Sequence, residues 1–453
     1  MKIFILLFFQ LFIINSTIGQ SSNPMTLEQC ITYASENSPV LKGQRLETLA
    51  NDYNIKSIKA QGLPQVNVNG AFSHNYALAE QILPGEVFGM PGESIAVTFG
   101  VANTITGTVE ATQLLYSKSY RTGLKAAKAS QQLTELNIFQ MTENLIYDIV
   151  NVYLNINLTQ KNTGLLDANL ARIDQLISIA QIQFEEGLIK KIDVDQLKVN
   201  RTNLLSEQRN LATAINQQMN LLKFYMGMRP NAELQLAPYE LEEAGYPLVN
   251  DLILTENTDL RVLDKQLDLS TYELDNIKAG YYPSLNAFAN YGWQGQGERL
   301  WGNDETPGIA GTPTGVVGLR LSVPIFDGFG RKNNIAKVKI QQEQLAFTRL
   351  NLTNSIEMRF DNANETLTQN KIILDAQKEN MKLAESLFVT AQLSYQEGFA
   401  PLTELLNAET SLKEAQTQYL QSLLNVKIAE LDHLQSSGQL SKLIRETAPS
   451  INN

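Results

Sequence analysis

Cysteine is almost missing from this chain of 453 residues: Cys30 stands alone, so neither an intramolecular disulfide nor a thiolate metal cluster can form. Histidine is nearly as scarce, with only His74 and His433. Metal-hydrolase and Ser-His chemistries gather several such groups and are disfavoured. An excess of basic residues is also lacking. Lys and Arg number 36 against 47 Asp and Glu, a formal net charge of −11, which leaves no electrostatic footprint for nucleic acid. Beyond the first segment, no apolar run reaches the ~18 residues of a spanning helix, which argues against a helical inner-membrane protein. The 43% hydrophobic and 18% charged content excludes a disordered chain. An ordinary globular chain of this length would hold roughly three domains. No cofactor or metal is expected, and an enzyme built from carboxylates alone is disfavoured because no acidic pair sits in a pocket-forming context.

The first segment reads as a secretory signal peptide. Lys2 precedes an apolar-dominated run from Ile3 to Ile14, and small residues follow at Thr17 and Gly19. Cleavage is expected after Gly19, so residues 1–19 are set apart from the fold; loss of Lys2 would take the charge from −11 to −12. The run is short for a membrane anchor, which needs ~20 residues. Cys30 lies too far downstream to become a lipid-modified N-terminus. An exported chain without cysteine pairs fits a bacterial envelope.

Proline and glycine are missing over unusual lengths, and both break helices. Arg331 to Glu397 holds neither over 67 positions, enough for a helix of about 100 Å. Leu402 to Ser437 and Leu188 to Met226 are also clean, and Leu124 to Glu186 holds only Gly164. Such lengths call for an elongated helical architecture.

The chain also repeats itself. Lys59-Ala60-Gln61-Gly62-Leu63-Pro64 returns as Lys278-Ala279-Gly280-Tyr281-Tyr282-Pro283, an offset of 219, and Phe184-Glu185-Glu186-Gly187 returns as Tyr395-Gln396-Glu397-Gly398, an offset of 211. The shift of eight is expected in the loops after the first strands, where length changes cost little. Each half reads helix, strand, loop, strand, long helix, tight turn, helix.

Four segments alternate with period 2. Val66, Val68, Phe72 and Tyr76 oppose Asn67, Asn69, Ser73 and Asn75, and Val97, Phe99, Val101, Ile105 and Val109 oppose Thr98, Thr104, Thr106, Thr108 and Glu110. Leu285, Ala287, Ala289, Tyr291 and Trp293 alternate with Asn286, Asn290 and Gln294. Val317, Leu319, Leu321, Val323 and Ile325 alternate with Gly318, Arg320 and Ser322. A soluble sandwich can alternate in this way too, but lengths near ten residues favour membrane barrel strands. Tyr76, Tyr291 and Trp293 then suit an interfacial aromatic belt, and His74, on the apolar face, suits packing better than ligation. Four strands cannot close a barrel, and lipid does not tolerate open edges. Three copies would supply twelve strands in a cyclic ring. Ala77 to Ala96 and Gln294 to Thr314 are expected as long outward loops.

On these residues the sequence resembles the TolC family of outer-membrane efflux channels, over nearly all of the chain after residue 19. The marks are Ala60-x-x-x-Pro64 and Ala279-x-x-x-Pro283 entering the strands, Val323-Pro324-Ile325-Phe326-Asp327-Gly328 and Gly330 at the second barrel exit, and Tyr395-x-x-Gly398 before Leu405-x-x-Ala408-Glu409. The resemblance implies a mainly α protein with membrane β: long antiparallel helical hairpins forming a periplasmic α-barrel, and four strands per chain in a trimeric twelve-stranded transmembrane β-barrel. The boundaries that follow are a first repeat over 20–226, an equatorial linker over 227–250, a second repeat over 251–437 and a tail over 438–453. The implied partners are two further copies in a homotrimer, outer-membrane lipid, a periplasmic adaptor (membrane fusion protein) and an inner-membrane pump.

Candidate functional residues lie at the helical turns. Gly187 and Gly398 are expected as left-handed helix ends. Glu404 follows Gly398 by six residues and Asn407 by nine, on one helical face. The resemblance places these two positions in a closed pore entrance, where the family carries acidic residues. A threefold ring of Glu404 would attract cations; the alternative is a solvated carboxylate suiting the dipole at its helix start. Asp193 has the same offset from Gly187, with Asp195 beside it, and is expected to face neighbouring helices or cap a helix. Some family members tie the tips together with an arginine at the position of Ala400, so that link is not assumed here; Lys190 and Lys191 are candidate replacements. Gly187, Leu188, Gly398 and Phe399 resemble the grooves that receive an adaptor hairpin. The sequence therefore points to a passive outer-membrane exit duct of an efflux or type I secretion system, with a non-conducting helical rod of the envelope as the alternative.

Overall fold

The computed structural model describes residues 24–239, 251–302 and 308–440. The expected signal peptide, the linker from 240 to 250 and the tail from 441 lie outside the described residues. In chain order the elements are α1 (Leu27–Asn37), α2 (Pro39–Ala60), β1 (Gln65–His74), β2 (Glu80–Pro84), β3 (Ser94–Thr98), β4 (Asn103–Tyr116), α3 (Lys118–Glu185), α4 (Lys191–Met226), α5 (Thr258–Ala279), β5 (Ser284–Gly297), β6 (Ala310–Ser322), α6 (Gly330–Gln396) and α7 (Leu402–Ser436). The fold is mainly helical, with one four-stranded sheet in the order β1-β4-β5-β6, antiparallel throughout, and a separate β2-β3 hairpin. Among the described residues, no helix is long and apolar enough to cross a membrane.

The helix ends follow their local chemistry. Thr26 and Gln29 form a reciprocal capping box before α1: the Thr26 hydroxyl accepts from the Gln29 N–H, and the Gln29 side chain from the Thr26 N–H. Pro39 opens α2 and Pro401 precedes α7, where a missing donor costs nothing. Four helices end on a left-handed glycine: α3 at Gly187, α4 at Gly227, α6 at Gly398 and α7 at Gly438, with φ between 73° and 77°. Each carries the paired main-chain bonds of a Schellman turn, as in Gly187 N–H to Phe184 O (2.9 Å) and Leu188 N–H to Gln183 O (2.8 Å).

Elements of the two halves start at fixed displacements. α2 and α5 are 22 residues each and begin 219 positions apart, as do β1 and β5, whereas α4 and α7 begin 211 apart. The shift of eight expected in one set of loops is instead a net result. The connection between sheet strands shrinks from 75–102 to 298–309, β5 is longer than β1, and the exit to the long helix grows from Ser117 alone to 323–329.

Two further expectations are corrected. The alternation from Val97 to Val109 is not one strand. Val97 belongs to β3, Phe99 and Val101 lie outside any strand, and β4 begins only at Asn103. Gly100 at φ 115° breaks the run between them; period-2 spacing alone cannot register such a break. The segment expected as a loop from Ala77 to Ala96 holds β2, a short 3-10 turn at Gly85–Phe88 and the start of β3. Similarly, β5 extends to Gly297 and β6 begins at Ala310, so the second loop is shorter than expected, and its residues 303–307 lie outside the described set. Tyr76 falls beyond the end of β1.

The register sorts the sheet into two chemically distinct faces. One face aligns Val66, Ala111, Ala289 and Val317 in one row and Val68, Val109 and Tyr291 in the next. The other aligns Asn67, Glu110 and Asn290, then Asn69 and Thr108. On the apolar face the Trp293 ring covers Gly295 and Gly311, at each of which an added Cβ would meet ring atoms at 2.2 Å or less. His74 closes the same face by a side-chain hydrogen bond to Asn103 (2.8 Å).

The chain divides into two compact units. One comprises residues to Gly43, Phe139–Asn257 and from Ser355 onward; the other comprises Gln44–Ile138 and Thr258–Asn354. The second unit contains the sheets, and its helices are joined by polar bonds such as Ser119 to Asn276 (2.6 Å), Asn51 to Thr134 (2.7 Å) and Arg349 to Asp264 (2.7 Å). Besides a small cluster around Leu367, Val426 and Ala429, the first unit holds two large apolar clusters. In one, Ile146, Ile149, Tyr153 and Ile156 of α3, which step by three and four, pack with Cys30 and Ile31 of α1, Leu222 of α4 and Leu431 of α7. The other gathers Ile173 of α3, Leu197 of α4, Phe388 of α6 and Leu405 of α7. Burial of Cys30 raises its thiol to about 12, so it is an inert core residue.

Candidate functional site

The turns at Gly187 and Gly398 share one geometry and lie open: a Cβ added at either would meet nothing within 4 Å. Glycine is needed there for its left-handed backbone and not for close packing. The residues that follow, Leu188 and Phe399, are 69% and 86% exposed. Pro401 caps α7, and Glu404 and Asn407 then stand exposed on one face, one turn apart.

The expected site residues are not gathered into one cluster. Asp193 is a capping residue: its Oδ2 accepts the main-chain N–H of Lys190 at 3.1 Å and so fixes the start of α4. Asn407 lines an open groove between α4 and α7 that also holds Ile192, Asp195, Val199 and Leu406. Asp195 and Asn407 therefore line the same groove, one on α4 and the other on α7. Lys190 and Lys191 are both exposed. Tyr395 of α6 reaches Gln183 of α3 at 3.5 Å, joining the ends of the two long helices.

One buried ionisable group escaped sequence reading. Glu409 of α7 is 5% exposed within the four-helix cluster, and neither of its carboxylate oxygens has a hydrogen-bond partner among the described residues. Burial raises its carboxyl to about 7, opposed by the charges of Arg172 on α3 and Lys413 on α7. Arg172 is bonded to Asn169 and stacked on Phe388 of α6, while Lys413 is paired with Glu207 of α4. Leu405-x-x-Ala408-Glu409 offered no hint of this, because helical spacing alone does not show which neighbouring helix covers a position.

A pH dependence follows. The raised carboxyl contributes stability that is fully present below its ordinary value of 4.5 and lost as pH rises through about 7. The thermal midpoint of the purified protein is expected to fall between about pH 5 and about pH 8, and Glu409→Gln is expected to flatten that fall. Equal slopes for both proteins, followed by circular dichroism, would show that Glu409 is already charged throughout.

A family model described as "Outer membrane efflux protein" matches residues 30–227 and 249–439. Outer membrane protein TolC of Escherichia coli (strain K12) is 20% identical over 94% of this chain and 84% of its own length. Two solved structures share the fold. CusC, described in connection with transmembrane channel formation, has a TM-score of 0.74 at 16% identity and covers 92% of each chain. The Campylobacter jejuni CmeC outer membrane channel has 0.73 at 15%, covering 93% of this chain and 89% of its own.

Proposed function

The chain belongs to the outer membrane efflux protein family, and from that premise we propose that three copies close their sheets into one twelve-stranded barrel, continued by the long helices as a passive exit duct. The protein is an outer-membrane channel with a large helical periplasmic portion. The trimer rests on one observation: the four-stranded sheet has one apolar and one polar face, and β1 and β6 each pair on a single side within the chain. Hydrocarbon leaves no water to satisfy those edges. Because strand direction alternates over an even number of strands, β6 of one copy meets β1 of the next antiparallel, and cyclic symmetry closes the ring. The apolar face then meets lipid and the polar face lines the lumen.

The two halves, 20–226 and 251–437, are two copies of one helix-strand-strand-helix-helix unit. Of the expected equatorial segments 227–250 and 438–453, residues 240–250 and 441–453 lie outside the described residues. At the far end, Glu404 and Asn407 of three copies surround the entrance and form its polar constriction. Asp195, which shares a groove with Asn407, adds a second acidic position nearby. Leu188 and Phe399, exposed beside Gly187 and Gly398, are the contacts for a periplasmic adaptor, and Asp193 holds the turn in shape. The duct performs no covalent chemistry; an inner-membrane pump supplies the energy and the adaptor couples the two.

Purified trimer in a planar bilayer is expected to give discrete conductance steps that divalent cations block from the periplasmic side. Glu404→Gln is expected to weaken that block by about tenfold, the scale of removing one charge per copy from a narrow ring. Conductance with unchanged block would remove Glu404 from the entrance. A trimer that conducts in no variant would leave a helical rod of the envelope as the better account.

A further inference from the structure

The four-stranded sheet holds very little charge. Apart from His74, the carboxylate of Glu110 on β4 and the guanidinium of Arg320 on β6 are the only acidic and basic side chains in its strands besides tyrosines. Both fall on the polar face. Glu110 pairs across to Asn290 and Arg320 to Asn286, four residues apart along β5, or about 13 Å. Arg320 is the nearer of the two to the helices, since β5 enters from α5 and its first paired residues are Ser284 and Leu285.

Between these two rows lies an aromatic residue on the mainly polar face, which also carries Val316 and Leu114. Phe288 pairs with Thr112 on one side and Gly318 on the other. Its ring lies over Gly318, where an added Cβ would meet it at 2.9 Å, and the Arg320 guanidinium stands 5.0 Å from its centre. Arg320 has no carboxylate partner among the described residues. The next polar-face residue on β5, Asn290, leaves its Oδ1 without a donor. An unpaired cation, an aromatic face and a free acceptor thus line one strip of wall. The glycine beneath the ring is what lets Phe288 lie flat instead of projecting.

We propose that Phe288 and Arg320 form a cargo-contact layer of the lumen that favours aromatic organic anions, opposite in sign to the Glu404 entrance. This rests on the trimeric barrel proposed above. Twelve strands 4.8 Å apart and tilted by about 40° give a backbone radius of about 12 Å. An extended arginine brings its charge to within about one Debye length, ~8 Å at physiological salt, of the axis. The ring is therefore felt by passing ions instead of being screened at the wall. Guanidinium recognises a carboxylate or sulfonate by paired hydrogen bonds, and the adjoining ring supplies an apolar surface for stacking.

The test uses wild-type trimer in a planar bilayer, with naphthalenesulfonate added on the outer side so that it reaches the barrel before the helical entrance. Block of the wild type is expected, and Phe288→Ala and Arg320→Gln are each expected to weaken it about fivefold, the scale of one exposed ring or cation contact. Methanesulfonate, which has no ring, is expected to be indifferent to Phe288→Ala. Arg320→Lys is expected to lose only part of the block, since it keeps charge but not the planar fork. Conductance with equal block in wild type, Phe288→Ala and Arg320→Gln overturns this layer alone. Absence of conductance in every protein overturns the duct and the layer together.

Discussion

Replacing Lys427 by methionine is expected to cost about 3–5 kcal/mol of stability, because it leaves a buried carboxylate without its ammonium. Lys427 and Glu430 lie on one face of α7 at 3.2 Å, with side chains only 5% and 8% exposed. They sit among Leu423, Leu424 and Leu431, which are core residues. In such surroundings a lone carboxylate must either stay charged in a poor solvent or take up a proton, and both are unfavourable. The attraction between the two charges is not what makes the substitution severe; the uncompensated partner is. Replacing both by apolar residues, Lys427→Met with Glu430→Leu, is therefore expected to recover most of the loss. Thermal unfolding followed by circular dichroism measures both. A double variant as unstable as the single one would mean that the penalty arises from lost packing and not from the stranded charge.

The second large effect separates two glycines that look alike in sequence. Gly227 and Gly398 both end a helix with left-handed backbone, at φ 73° and 77°. Alanine at Gly398 meets open space, so only the backbone penalty applies, about 1–2 kcal/mol. Alanine at Gly227 would place its Cβ 2.7 Å from Asn37 O and 2.8 Å from Pro39 Cδ, at the junction of α1 and α2. Neither contact is a flexible side-chain end, so main chain must shift, and a loss of about 3–5 kcal/mol is expected, in the range of severe single substitutions. Gly438 has a matching place: its Cβ would lie 3.1 Å from Asn257 Cα, just before α5. The expected order of thermal midpoints is wild type, Gly398→Ala, then Gly227→Ala. Equal loss at Gly227 and Gly398 would show that the α1–α2 junction yields easily and that the close approach is not structural.

Much of the architecture was legible from residue order. Long stretches without proline or glycine marked α4, α6 and α7, because the absence of both over such lengths is informative, whereas α3 runs on through Gly123 and Gly164. Seam residues such as Ile146, Ile149 and Tyr153 declared their buried face by spacing alone. The ends at Gly187 and Gly398 were readable because left-handed backbone strongly selects glycine. The strands were readable in face but not in extent. The alternation read from Val97 to Val109 spans the end of β3, the bend at Gly100 and the beginning of β4. Alternation reports which side a residue takes and not where hydrogen bonding passes to a new partner.

The candidate site divides along the same line. Glu404, Asn407, Leu188 and Phe399 stand exposed where their distance from the turn glycines put them. Asp193 could have faced a neighbour or capped its own helix, and only the 3.1 Å bond to Lys190 decided for the cap. The juxtaposition of Asp195 with Asn407 joins residues more than 200 positions apart, which no local pattern encodes.

By itself the sequence determined the element types, the two-faced strands and the turn positions, since propensity and periodicity act over a few residues and are written locally. The tertiary structure decided which groups lose their water. Glu409 and Lys427 both belong to α7, and each becomes a buried ionisable group only when α3 and its neighbours close around that helix. It also decided that Phe288 lies beside Arg320, because antiparallel register brings residues from β5 and β6 into contact that the chain itself keeps 32 positions apart. Burial and electrostatics depend on the sum of everything packed around a group, and that sum exists only once distant segments have met.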